Sequence, residues 1–175
     1  MNDVNRSKDS AWLQEVFAQY EDRLIRYAAR LLGDVDRARD VAQDAFLRLC
    51  REDRDRIESR VGPWLFTVCR NRAMDIRKKE QRMNWLSDAQ TEQTASTEMG
   101  PADAAERRDA AGVAFTLLGR LPNNQQEVIR LKVENGMSYR EISDVTGLSV
   151  SNVGYLIHQG VKTLREQFTR LQSTA

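Results

Sequence analysis

The side chains able to do chemistry in this 175-residue chain are few and scattered. Its one histidine, His158, has no second histidine with which to hold zinc, and Cys50 and Cys69 stand far apart at no metal-ligand spacing. Both cysteines read as reduced thiols inside a core. There is no Gly-rich phosphate loop, no plausible Ser/His/Asp set and no carboxylate pair on an apolar background. The expectation is therefore a chain that is not an enzyme, with no metal, no cofactor and no small-molecule substrate. What remains is the chemistry of ionic and hydrogen-bonded contact. Arg70, Arg72, Arg77, Lys78, Lys79 and Arg82 form a basic run, with Asn71 and Asp75 among them. Such a run is either a solvated helix end whose cations complement the negative end of the helix dipole, or a surface for DNA phosphates.

A second cluster lies in the last third. Ser138-Tyr139-Arg140-Glu141 is a capping box, in which the serine hydroxyl accepts from the glutamate N–H and the carboxylate accepts from the serine N–H. It starts a short helix buried through Ile142 and Val145 that stops at Gly147; Leu148 turns inward, and Ser149 caps a final helix through Val153, Leu156, Ile157, Val161, Leu164 and Phe168. Two helices of these lengths joined by a Gly-containing turn make a helix-turn-helix. Placed in a major groove, the last helix brings Ser149, Ser151, Asn152 and Tyr155 to base edges and phosphates, and Ser138, Arg140, His158 and Lys162 complete the surface. A tri-helical unit of this kind also occurs as simple packing.

The elements that must position these residues follow from hydrophobic period. From Trp12 to Leu32 the apolar residues recur at three- and four-residue steps, which predicts one long amphipathic helix ended by Gly33. Asp34 or Asp36 caps a second helix with the stripe Ala38, Val41, Ala42, Ala45, Phe46 and Leu49. Arg51 to Gly62 is dense in charge, lacks an apolar period and reads as a loop. Pro63 opens a third helix with the face Trp64, Leu65, Val68, Cys69, Ala73 and Ile76. From Leu86 to Glu106 the composition turns to Ser, Thr, Gln, Ala, Gly100 and Pro101, and the charges before Arg107 are all acidic, so this is an acidic flexible linker. Ala114, Leu117, Leu118 and Leu121 then share a face until Pro122, and Gln125 to Glu134 continues as a helix ended by Asn135-Gly136. The fold class is all-α, with two small helical domains at 9–84 and 107–172 joined by a linker at 85–106, the second a helix-turn-helix.

Lys and Arg total 27 against 26 Asp and Glu, so any nucleic-acid partner must be held by local patches rather than by overall charge. The polar N-terminus has no signal-like apolar core, and no run of about 18 to 20 apolar residues occurs. A cytoplasmic protein is expected.

Three segments assemble into a family. Asp40-Val41-Ala42-Gln43-Asp44-Ala45-Phe46-Leu47-Arg48-Leu49, Trp64-Leu65-Phe66-Thr67-Val68-Cys69-Arg70-Asn71-Arg72-Ala73-Met74-Asp75, and Leu121-Pro122 with Met137-Ser138-Tyr139-Arg140-Glu141-Ile142 together resemble the extracytoplasmic-function sigma factors of bacterial RNA polymerase. The likeness runs from about Trp12 to Phe168. It implies a two-domain promoter-reading subunit working with core RNA polymerase on promoter DNA, held in check by an anti-sigma protein. By the same resemblance, Asp40, Gln43, Asp44, Phe46 and Leu47 dock on the polymerase clamp. Arg60 and Gly62 in the loop, with Trp64, Arg70, Asn71, Arg72, Arg77, Lys78 and Lys79, capture the melted minus-10 strand. The helix-turn-helix reads the minus-35 duplex, and the linker threads a basic channel of the polymerase. Two departures bear on this. Ile57 to Gly62 has no aromatic residue, and the last helix carries Gly154, Tyr155, Leu156, Gln159 and Val161 where several cations are usual, leaving Lys162 and Arg165. The expected minus-35 contact is weak and rests on serine, Asn152 and backbone N–H groups. The competing readings are a free-standing helix-turn-helix regulator and a degenerate sigma-like protein that binds polymerase or an inhibitor.

Overall fold

Local signals decide where each helix begins and ends, and the apolar stripes decide how the helices pack. In the computed structural model, which describes residues 2–87 and 110–173, with side chains over 9–83 and 112–171, no residue is in a β-strand. The described residues fall into two compact units, one on either side of the 88–109 segment.

The first unit is built from α1 (Asn2–Leu32), α2 (Val35–Leu49), α3 (Arg54–Ile57) with a 3-10 turn (Glu58–Arg60), and α4 (Val61–Ser87). α1 ends at Gly33, whose φ of 71° is the left-handed conformation that a residue with a Cβ resists. Asp34 is the cap of α2, its carboxylate accepting from Asp36 N at 2.9 Å and Arg37 N at 3.1 Å. The predicted α2 stripe is the one that is buried, all six residues of it. α1, α2 and α4 pack pairwise around Leu24, Val41, Leu49, Leu65, Phe66 and Cys69. Phe66, which the predicted α4 face omitted, is fully buried and meets Tyr27 edge-on at 5.2 Å.

The Arg51–Gly62 segment corrects the reading of a loop. Asp53 caps α3 by accepting from Asp55 N at 3.1 Å, and Ile57 inserts into the core at 3 % exposure. Arg54 fixes the segment to α1: it pairs with Glu58 at 2.8 Å and Asp9 at 3.7 Å, and its guanidinium stands 5.3 Å above the Trp12 ring. Two turns of helix bury too few apolar residues to generate a visible period. α4 then runs unbroken to Ser87, with Pro63 in its first turn where the missing N–H costs nothing. Its last three residues thus overlap the expected linker; the remainder of 85–106 and the start of the expected second domain at 107 lie outside the described residues.

Cys50 is a second correction. It follows the last buried residue of α2 as its C-cap and is exposed, whereas Cys69 lies in the core as read.

The second unit comprises α5 (Ala110–Leu118), α6 (Asn123–Val133), α7 (Tyr139–Thr146) and α8 (Val150–Ser173). α8 packs on each of the other three. Leu117, Leu118 and Leu121 are buried as expected, while Ala114 faces out. α6 starts two residues ahead of Gln125 because Pro122, with φ −53°, presets the helix entry. Gly160 permits the α6–α8 crossing: a Cβ there would stand 2.5 Å from Ile129 Cδ1 and 3.3 Å from Leu121 Cδ1.

Candidate nucleic-acid and polymerase interfaces

α2 presents one face away from its buried stripe. At 100° per residue, Asp40, Gln43, Asp44 and Leu47 fall within one sector of the helix. Asp40, Gln43 and Leu47 are exposed, Leu47 at 55 %, and Asp44 is half-buried. Phe46 is a correction: it is 5 % exposed and stacks on Phe17, ring centroids 4.2 Å apart, so it backs this face from inside and does not form it.

α4 carries the minus-10 candidates in three stripes. Residues seven apart lie about two turns apart on nearly the same side, so Trp64, Asn71 and Lys78 share a line. That line is opposite Ala73 and Cys69, which are fully buried against the core, so Trp64, half-buried, stands off the apolar face predicted for it together with them. Arg70 and Arg77 flank it on one side, Arg72 and Lys79 on the other. Arg72 leans toward α2, its Nε 3.9 Å from Asp44 Oδ2, and Asp44 also holds Arg48 at 3.1 Å. Further along, Arg37 of α2 is ion-paired with Glu80 of α4. Asp44 thus belongs to the α2 face and touches the basic flank of α4.

Arg60 is exposed in the 3-10 turn, but Gly62 is in α4 and buried. A Cβ at Gly62 would sit 2.8 Å from Tyr20 Oη and 3.2 Å from its ring. Gly62 therefore serves close packing of α4 on α1 and offers no side chain to a strand. Tyr20 is half-buried on the apolar stripe of α1, and nothing in its spacing marks it as the residue that meets Gly62.

The helix-turn-helix is built as its sequence dictates. Ser138 Oγ accepts from Glu141 N at 3.2 Å and Glu141 Oε2 accepts from Ser138 N at 2.7 Å. The turn is tied by more than Gly147, whose φ is 74°. Ser143 Oγ donates to Leu148 O at 2.6 Å, Thr146 Oγ1 donates to Ile142 O at 2.7 Å, and Leu148 N donates to Thr146 Oγ1 at 3.3 Å. Ser149 Oγ accepts from Asn152 N at 3.2 Å, which starts α8. The outward stripe of α8 is Ser151, Tyr155, His158 and Lys162, at steps of four, three and four, all exposed. Asn152 is exposed beside its first turn, and Arg140 is exposed on α7. Lys132 of α6 stands 5.5 Å over the Tyr139 ring, in turn 3.5 Å from where a Gly154 Cβ would lie.

No metal-holding group of three or more His, Cys, Asp or Glu occurs among the described residues. No helix among them is long and apolar enough to cross a membrane.

Two family models match the chain: sigma-70 region 2 over residues 16–83 and sigma-70 region 4 over residues 114–164. The two units are thus of the classes that bacterial promoter-reading subunits combine. Similar relatives include the ECF RNA polymerase sigma factor SigW of Bacillus subtilis, 30 % identical over 173 residues, covering 90 % of this chain and 91 % of the relative. The sigma factor CarQ of Myxococcus xanthus is 30 % identical over 177 residues, covering 97 % of each. Among solved structures, the sigma factor RpoE of Bartonella quintana, crystallised with the anti-sigma factor NepR, shares the fold with a TM-score of 0.65 at 21 % identity, over 89 % of this chain and 96 % of that one. The chain belongs to the extracytoplasmic-function family of RNA polymerase sigma factors. It is an alternative sigma factor, binding core RNA polymerase and directing initiation at promoters.

Proposed function

We propose that the two units divide the work of this sigma factor, residues 9–84 docking on the polymerase and holding the melted minus-10 strand, residues 107–172 contacting the minus-35 duplex, and 85–106 linking them. The observation that carries this reading is the pair of outward faces that α2 and α4 raise from one core. Asp40, Gln43, Asp44 and Leu47 form the polymerase face, a rim of acid and amide around an exposed leucine. Trp64, Asn71 and Lys78 form the strand face, with Arg70 and Arg77, Arg72 and Lys79, and Arg60 supplying cations. An unstacked base needs an aromatic or amide surface, and its phosphates need positive charge. A free-standing regulator has no use for either face.

Such a protein is a non-catalytic specificity subunit, with no cofactor, and acts where the polymerase is, in the cytoplasm. An anti-sigma protein is the partner proposed for its inactive state; the RpoE relative was crystallised with one. Covering the α2 face or the α4 stripe would suffice to silence it.

The test is reconstitution. Purified chain mixed with core polymerase is expected to initiate at specific sites on genomic fragments, and Asp44→Arg is expected to weaken core binding at least tenfold with an unchanged helical melt. The reversed charge would repel Arg48 and Arg72, which only half-exposed pairing holds, so the fold survives. Normal core binding by this variant would show the α2 face to be wrongly assigned. Tight operator binding by the chain alone, without polymerase association, would sink the division of labour altogether.

A further inference from the structure

The outward surface at the start of α8 is unlike one built to read guanine. A guanine reader places Arg or Lys where it reaches O6 and N7. Here the first two turns of α8 carry no cation, and the most exposed large apolar side chain of the helix is Tyr155, 61 % exposed, with Val150 at 46 % exposure beside the same end of the helix. Their polar neighbours are Ser151 and Asn152. Lys162, the first cation along the stripe, is seven residues beyond Tyr155, about 10 Å along the axis, a distance suited to the phosphate backbone and not to the same base edges.

Resting on the assignment of the second unit to the minus-35 duplex, we infer that α8 reads adenine and thymine, Asn152 pairing with adenine N6 and N7 and the Tyr155 ring packing on a thymine C5-methyl. Three features converge. An asparagine amide offers the donor and acceptor that adenine alone matches in the major groove, and an apolar surface is what distinguishes thymine from the other bases. Asn152 and Tyr155 are three residues apart, so they rise from adjacent turns and reach neighbouring base steps. Asn152 is also held, because its backbone N–H donates to Ser149 Oγ at 3.2 Å, which fixes the first turn from which its amide projects. Val150 adds apolar surface at the entry to the groove. Val153, Leu156 and Ile157 supply the buried side of this helix, so most of the Tyr155 ring is open to a partner.

The experiment uses the holoenzyme, full chain plus core polymerase, on promoter fragments with a fixed minus-10 element and a randomised minus-35 segment. The selected minus-35 sequences are expected to be A·T-rich at the bases protected by α8. Replacing the protected thymine by uracil removes one methyl and is expected to weaken binding about fourfold, the worth of one buried methyl group. Tyr155→Ala is expected to lose a similar factor and to become indifferent to the uracil exchange, while Tyr155→Phe keeps both affinity and sensitivity. Replacing the protected adenine by 7-deazaadenine, which lacks N7, is expected to weaken the wild type and leave Asn152→Ala unaffected. A guanine-dominated selection, or full tolerance of uracil and 7-deazaadenine, overturns the inference while leaving the minus-35 assignment standing. Initiation that ignores the minus-35 segment altogether overturns both.

Discussion

Cys50 and Cys69 have the same side chain and opposite surroundings. Cys69 has no exposure, its Sγ lies 3.9 Å from Leu24 O, and burial pushes its thiol from 9.0 up to about 12. Alkylation of the folded chain is therefore expected to modify Cys50 fast and Cys69 only on unfolding, with two labels appearing together only in denaturant. Equal rates for both thiols would contradict the burial. Because the folded thiol holds its proton more tightly than the unfolded one, its contribution to stability is complete below about pH 9 and drains away as pH rises toward 12. Composition suggested a core for both cysteines, and only the helix end could separate them, since one position past Leu49 the chain stops turning inward. Phe46 and Gly62 teach the same lesson. The type of each residue suited the family site, but their directions are set by Phe17 and Tyr20, residues 29 and 42 positions away that no local pattern links to them.

Whole elements were legible wherever a cap and a stripe coincided. The α2 stripe, the Gly33 and Gly147 stops and the Ser138 capping box could be read from the chain because each is a contact between near neighbours. Ser138→Ala is expected to cost about 1 kcal/mol, the usual worth of an N-cap, measured as a shift in the denaturant midpoint of the second unit. Since α7 supports the turn, the same variant is expected to weaken minus-35 contact without touching core binding; an unshifted midpoint would mean the box is ornamental. α3 was illegible for the opposite reason. It is held by Ile57 in the core and by Arg54 against Asp9 and Trp12, contacts made across more than forty residues. Likewise Gly160 interrupts an otherwise ordinary helix, and its purpose appears only when Ile129 and Leu121 are seen across the crossing.

At the scale of the molecule the charges nearly cancel, so the strength of DNA contact depends on where cations stand. On the proposed minus-35 contact, the cations of the helix-turn-helix that would meet the duplex backbone are Arg140, Lys162 and Arg165, all exposed. Three phosphate contacts predict a log–log dependence of duplex affinity on salt with a slope of about −2.7, against about −5 or steeper for a duplex reader with six or more such contacts. Titration of holoenzyme on promoters differing only in the minus-35 segment isolates this slope; a value near −6 would mean cations elsewhere in the chain reach the duplex. Family membership was legible because three segments matched in order, each short and each tied to a surface. Their directions in space were not, because the apolar period tells which side of a helix faces the core and nothing about what meets the other side. α4 shows what that other side is worth. From Trp64 to Lys78 it rises about 21 Å without a break. Under the proposed strand contact the helix acts as a ruler whose marks are spaced by hydrogen bonds, and the length it offers is fixed when the chain folds, before any DNA arrives.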